Sequence, residues 1–91
     1  GITTAESHKV SQNYPNPVTG LATVDVELSE KANISFNIVN MVGQTVYTEE
    51  RSAANAGTHQ FNINARDFET GVYFYNVTID GEKTTKKMVI R

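Results

Sequence analysis

The sequence has no cysteine and no tryptophan. Without thiols there is no disulfide framework, no thiolate metal site and no cysteine nucleophile. Apolar residues never run more than four in a row, so these residues are expected to hold neither a transmembrane span nor a signal-peptide core. Basic charge is not in excess: the formal net charge is -2, which argues against a general nucleic-acid binder. Histidine occurs only at His8 and His59, and proline only at Pro15 and Pro17. What remains is 91 residues, 38% of them hydrophobic, with a mean hydropathy of -0.38. That is one domain, lean in core residues, burying roughly 60% of the surface its unfolded chain exposes.

Charge is unevenly placed. Lys83, Lys86, Lys87 and Arg91 supply four of the eight basic residues within the last nine positions, and all ten acids precede them. One reading is the solvated face of an edge strand, where lysine discourages edge-to-edge pairing. The other is a basic handle for an acidic partner or anionic lipid head groups.

Residues 1–8 show no periodicity and read as a linker or frayed terminus, with a short first strand reaching from about His8 to Gln12. Tyr14-Pro15-Asn16-Pro17 follows. Two prolines one residue apart fix φ at both positions and push Tyr14 and Asn16 toward extended geometry, giving a kink closed by a turn at Val18-Thr19-Gly20. Beyond it the period is two. Ala22, Val24, Val26 and Leu28 alternate with polar residues, as do Ala32, Ile34, Phe36 and Ile38, so each set is one buried strand face. Gly43 sits where the following hairpin needs positive φ. Thr45 to Glu49 makes a fourth strand, residues 53–57 a loop, and Thr58 to Asn64 a fifth strand. Residues 65–69 make a helical turn that tucks Phe68 under the sheet.

The last third is clearest. Gly71 to Ile79 is β-branched and aromatic, Asp80-Gly81 is a two-residue hairpin turn, and Glu82 to Ile90 returns. That register sets Gly71 opposite Ile90, Tyr73 opposite Met88 and Tyr75 opposite Lys86, with Tyr73 and Tyr75 on the core side. Gly71 itself has a plain structural reading, close backbone approach at a strand start. The fold class is therefore all-β, a single antiparallel immunoglobulin-like β-sandwich of about seven strands over residues 9–91, with a partly open barrel as the alternative.

No catalytic pattern emerges. No His-x-His or HExxH spacing supports a metal, and no serine stands in a Gly-x-Ser-x-Gly elbow. Asp25 and Glu27 fall on a polar strand face. Glu49-Glu50, Asp67 and Glu69 fall at expected turns, where acids are solvated. Asn33-Ile34-Ser35 and Asn76-Val77-Thr78 match the glycosylation acceptor pattern, which recurs by chance. The expectation is a non-enzyme with no cofactor and no metal. An adhesion or carbohydrate-binding sandwich using its tyrosines, or a structural spacer, stays open at this point.

Taken in order, Tyr14-Pro15-Asn16-Pro17, Gly43 after an alternating strand, Gly71-Val72-Tyr73-Phe74, and Lys86-Lys87-Met88-Val89-Ile90-Arg91 resemble the C-terminal sorting domain of type IX (Por) secretion substrates of Bacteroidota. The resemblance spans about residues 9–91. It implies a secretion signal fused behind an N-terminal cargo, folding in the periplasm and read by the outer-membrane translocon. At the cell surface, a sortase-like peptidase then cuts the chain in or before residues 1–8, and the cargo is anchored to lipopolysaccharide or released. The resemblance places the signal motifs at Tyr14, Pro15, Asn16, Pro17, Gly43, Gly71, Tyr73, Lys86, Lys87 and Arg91. It implies no nucleic-acid partner and no direct membrane insertion.

Overall fold

The computed structural model describes residues 8–91, so the linker expected over residues 1–8 lies outside the described residues except for His8. Seven strands follow in order: β1 (His8–Val10), β2 (Leu21–Leu28), β3 (Ala32–Val39), β4 (Thr45–Ala54), β5 (Gly57–Asn64), β6 (Gly71–Ile79) and β7 (Glu82–Ile90). They form two antiparallel sheets, β1-β2-β5 and β4-β3-β6-β7, packed as a sandwich. The alternation in β2, β3 and β6 decides which face turns inward. Val24, Val26, Ile34, Phe36, Ile38, Phe61, Tyr75 and Val77 are buried between the sheets. The Phe36 ring stacks on Phe61 at 4.8 Å across the sandwich and lies 5.8 Å from Tyr75.

The β6–β7 register is the expected one, Gly71 opposite Ile90 through Ile79 opposite Glu82. Asp80 and Gly81 both take positive φ, 47° and 92°, as the two-residue turn requires. Gly43 has φ 87° at the β3–β4 turn, where Asn40 Oδ1 accepts from the N–H groups of Val42 and Gln44. The turn at residues 65–69 is a single 3-10 turn, Ala65–Asp67, capped by Asn64 Oδ1. Phe68 behind it is half-buried and meets Tyr73 edge-on at 5.5 Å.

Three local expectations are corrected. The fourth strand continues to Ala54 rather than ending at Glu49, and Ala53-Ala54 belong to it instead of a loop. This strand lies at a sheet edge, and only Glu49, Arg51 and Ala54 are not exposed, so it carries no apolar alternation to read. Glu49 and Glu50 accordingly lie within a strand, not a turn. Val18 is no turn residue: it is fully buried and bridges Ile90 in parallel. The first strand stops at Val10: Ser11 N–H still bonds Asp25 O, but regular pairing with β2 lapses over Gln12 and Asn13 before Tyr14 meets Thr23.

The two open sides of the sandwich are closed differently. Between β4 and β5, Arg51 lays its guanidinium 3.8 Å over the Phe61 ring while donating to Gln60 O at 2.7 Å and Glu49 Oε2 at 2.8 Å. The group thus shields the Phe36–Phe61 stack from water. Arg51→Ala is expected to cost about 1–2 kcal/mol in urea unfolding, combining the cation–π contact with the lost hydrogen bonds. Arg51→Lys should recover only part of it, since an ammonium lacks the planar fork. An unchanged midpoint for Arg51→Ala would contradict this role.

Candidate functional site

The other open side, between β1 and β7, is closed by residues 11–18, and here the singled-out motifs converge. Ser11 N–H donates to Asp25 O at 2.9 Å, and Tyr14 and Thr23 exchange two backbone bonds at 2.9 and 3.0 Å. The strap therefore runs first along β2. Its Tyr14–Pro15 and Asn16–Pro17 peptide bonds are both cis. It then crosses to β7, where Val18 N–H donates to Val89 O and Arg91 N–H donates to Val18 O, each at 2.8 Å. Two side chains reinforce the crossing: Gln12 Nε2 donates to Lys87 O at 2.8 Å, and Val89 N–H donates to Asn16 Oδ1 at 3.2 Å.

This arrangement answers a physical problem. β7 is an edge strand, and its outward N–H and C=O groups would stand unpaired. The strap satisfies them over Lys87–Arg91 while placing Val18 beneath Ile90. Asn13 anchors the bend from inside; it is 2% exposed, accepts from Gln12 Nε2 at 2.6 Å and donates from Nδ2 to Pro15 O at 2.8 Å. Gln12, Asn13 and Val18 were not singled out in the sequence. A lone valine and two amides carry no periodic signal, and only their position beside the prolines could have marked them.

The other motif residues fall as follows. Tyr14 is exposed, its hydroxyl donating to Asp25 Oδ2 at 2.9 Å; that hydrogen bond, above all, holds its pKa above 10.0. Pro15 and Asn16 are exposed and Pro17 half-buried. Tyr73 is core, its hydroxyl donating to Glu69 O at 2.7 Å. Gly71 starts β6 opposite Ile90. A Cβ there would meet nothing within 4 Å, so the close-approach reading is corrected: φ of 155°, not crowding, favours glycine. On β7, Lys86 opposite Tyr75 is half-buried, Lys87 opposite Phe74 is exposed, and Arg91 is exposed just past the strand. Gly43 lies in the β3–β4 turn, whose residues Asn40, Met41 and Val42 line a shallow pocket with Gly71, Val72 and Tyr73 at the start of β6. The strap, Gly71 and the end of β7 are thus one continuous region, and Gly43 is not built into its hydrogen bonding.

Tyr75 ties this region to the core. Its hydroxyl donates to Ser11 O at 2.8 Å, and burial, partly offset by the Asn13 backbone, pushes its pKa up to about 12. A raised folded-state pKa contributes stability fully present below pH 10 and lost as pH rises through 10 toward 12. The protein is expected to lose up to about 2 kcal/mol across that window. Tyr75→Phe should flatten this slope while costing about 1 kcal/mol at neutral pH. Urea midpoints at pH 7, 9.5 and 11 test it; equal alkaline slopes in both proteins would contradict it.

Glu49 shows the opposite linkage. Burial raises its pKa, but hydrogen bonds from Arg51 and Tyr47 and the Arg51 charge outweigh that and hold it below 4.5. Its small, solvent-screened contribution is therefore present above pH 4.5 and fades as pH falls further.

No group of three metal-binding side chains occurs among the described residues. His59 Nε2 lies 2.7 Å from Asn55 O, and His8 Nδ1 accepts from Ser29 N–H at 3.4 Å, each in a contact with the backbone. The tyrosines form no platform: Tyr73 and Tyr75 are core, while Tyr14 lies on the strap and Tyr47 on the opposite edge.

No curated protein matches this sequence. PorZ, an essential bacterial surface component of the type-IX secretion system of Porphyromonas gingivalis, has a similar fold. The TM-score is 0.58 at 20% identity, over 96% of this chain and 12% of that one. The family model for the secretion system C-terminal sorting domain matches residues 12–91, beginning at the strap and ending with β7. The chain belongs to the family of secretion-system C-terminal sorting domains.

Proposed function

We propose that this domain is a non-catalytic secretion signal that directs an N-terminally fused cargo through the type IX outer-membrane translocon. In this reading it passes through the periplasm folded, and a sortase-like peptidase separates it from the cargo at the cell surface, upstream of β1. Tyr14, Pro15, Asn16 and Pro17 shape the strap, and Gly71 and Tyr73 set the start of β6. Lys86, Lys87 and Arg91 provide the charged surface that the translocon reads, and Gly43 shapes the turn that follows β3, beside the start of β6.

The observation that carries the reading is the pinning of β7 by the strap. The family match covers the same residues, and strap and strand together hold a basic element in one rigid position. A signal read in the folded state needs such a surface. Adhesion through an aromatic platform is disfavoured by the burial of Tyr73 and Tyr75.

Position within the fusion discriminates a signal from a spacer or binding module. A reporter carrying residues 1–91 at its C-terminus should be exported. The same reporter carrying them at its N-terminus, or with a folded domain appended after Arg91, should be retained. Equal export from all three arrangements would defeat the sorting role.

A further inference from the structure

The outer face of the four-stranded sheet is organised in cross-strand rows fixed by the register. One row runs Glu50, Ser35, Thr78, Lys83 across β4, β3, β6 and β7. The next runs Thr48, Asn37, Asn76, Thr85. Toward the other end the middle of the face turns apolar: Val39 lies opposite Phe74, in a row that runs from Thr45 on β4 to Lys87 on β7, and Val72 lies opposite Val89. These four apolar residues point away from the core yet are only half-buried. A sheet face meant for water alternates apolar-in with polar-out, and this end breaks the rule.

The polar half of the face is prepared for covering. Asn76 Nδ2 donates to Asn37 Oδ1 at 2.9 Å, and Thr85 Oγ1 donates to Asn76 Oδ1 at 2.6 Å. Because the row satisfies much of its own hydrogen bonding, placing another surface over it strands few polar groups. In the first row the acid stands at the β4 margin and the base at the β7 margin.

We propose that this face binds a second copy of the chain, packed sheet to sheet about a two-fold axis parallel to the strands. Such an axis keeps every row at its own height and lays β4 of one copy over β7 of the other. Glu50 then faces the partner's Lys83, and by symmetry Lys83 faces the partner's Glu50. At the apolar end Phe74 meets the partner's Val39, while Lys87 at the margin falls beside the partner's Thr45. A two-fold perpendicular to the strands would instead lay β4 on β4 and the apolar end on the polar end. Charge and hydropathy thus select the same axis. Four strands at ordinary spacing offer roughly 500 Å² per copy, near the lower bound for a specific interface, so the association is weak and concentration-dependent.

Sedimentation equilibrium of the 91-residue chain from micromolar to millimolar concentration tests this, with urea unfolding to verify that each variant folds. The wild-type chain is expected to dimerise reversibly. Phe74→Lys should abolish the dimer, and Glu50→Lys and Lys83→Glu should each weaken it about ten-fold, since each reverses two symmetric pairs. Mixing Glu50→Lys with Lys83→Glu should restore wild-type affinity as a heterodimer, because both contacts are then complementary. Glu50 and Lys83 are exposed, so these two carry the test even if Phe74→Lys fails to fold. A chain that is monomeric at millimolar concentration overturns the proposal. So does a dimer indifferent to the charge reversals, or a mixture no tighter than its separate components.

Discussion

Deleting residues 86–91 is expected to abolish cooperative folding, not merely to remove a signal. The deletion takes away Met88 and Ile90, both essentially fully buried, and the Val18 bridge to Ile90 with them. Losing a buried side chain of that size costs about 2–5 kcal/mol. A domain of this length has only about 5–15 kcal/mol in total. The start of β6, Gly71 to Tyr75, also loses its partner strand, and Gln12, Asn16 and Val18 lose the backbone groups they satisfy. Far-UV circular dichroism through a urea titration should show no sharp transition. A truncated chain that unfolds cooperatively near the full-length midpoint would contradict the strap-and-strand account. Export loss on truncation is therefore ambiguous alone, and the informative variant is Lys86→Ala/Lys87→Ala/Arg91→Ala, which spares the β7 core residues.

The largest single-residue effect is expected at Phe36→Ala. Phe36 is fully buried, stacks on Phe61, and contacts Tyr75 and Tyr47 at ring separations of 5.8 and 6.2 Å. It joins the two sheets at their centre, so the void cannot collapse without moving both. The cost should be about 3–5 kcal/mol, and at about 4–8 °C per kcal/mol for a domain of this size the melting temperature should fall by well over 10 °C. Phe36→Leu should cost less, because most of the volume remains. A loss under 1 kcal/mol for Phe36→Ala would show that the aromatic stack is not the centre of the core.

Much of this fold is legible residue by residue. Strands β2, β3 and β6 bury every second side chain, and Asp80-Gly81 fixes a register that sets all nine β6–β7 pairs. What stays hidden lacks periodicity or depends on distant partners. The far half of β4 reads Glu-Glu-Arg-Ser-Ala-Ala because the inward positions Glu49 and Arg51 of this edge strand are charged and only half-buried, so no apolar alternation shows. Val18 follows two prolines and precedes Thr-Gly, a turn by every local signal, yet its partner is Ile90. Asn16 meets Val89 across 73 positions, which no local pattern encodes. The motif residues were visible as an ordered set. That the strap, Gly71 and the end of β7 close one side of the sandwich together required the structure.

The most direct test of the account is export of a fluorescent reporter carrying residues 1–91 at its C-terminus, in a Bacteroidota host with and without a working type IX translocon. The expected result is reporter at the surface or in the medium of the competent host, retained in the periplasm of the deficient one. Folded reporter retained in the periplasm of both hosts, or exported equally by both, would contradict the sorting role.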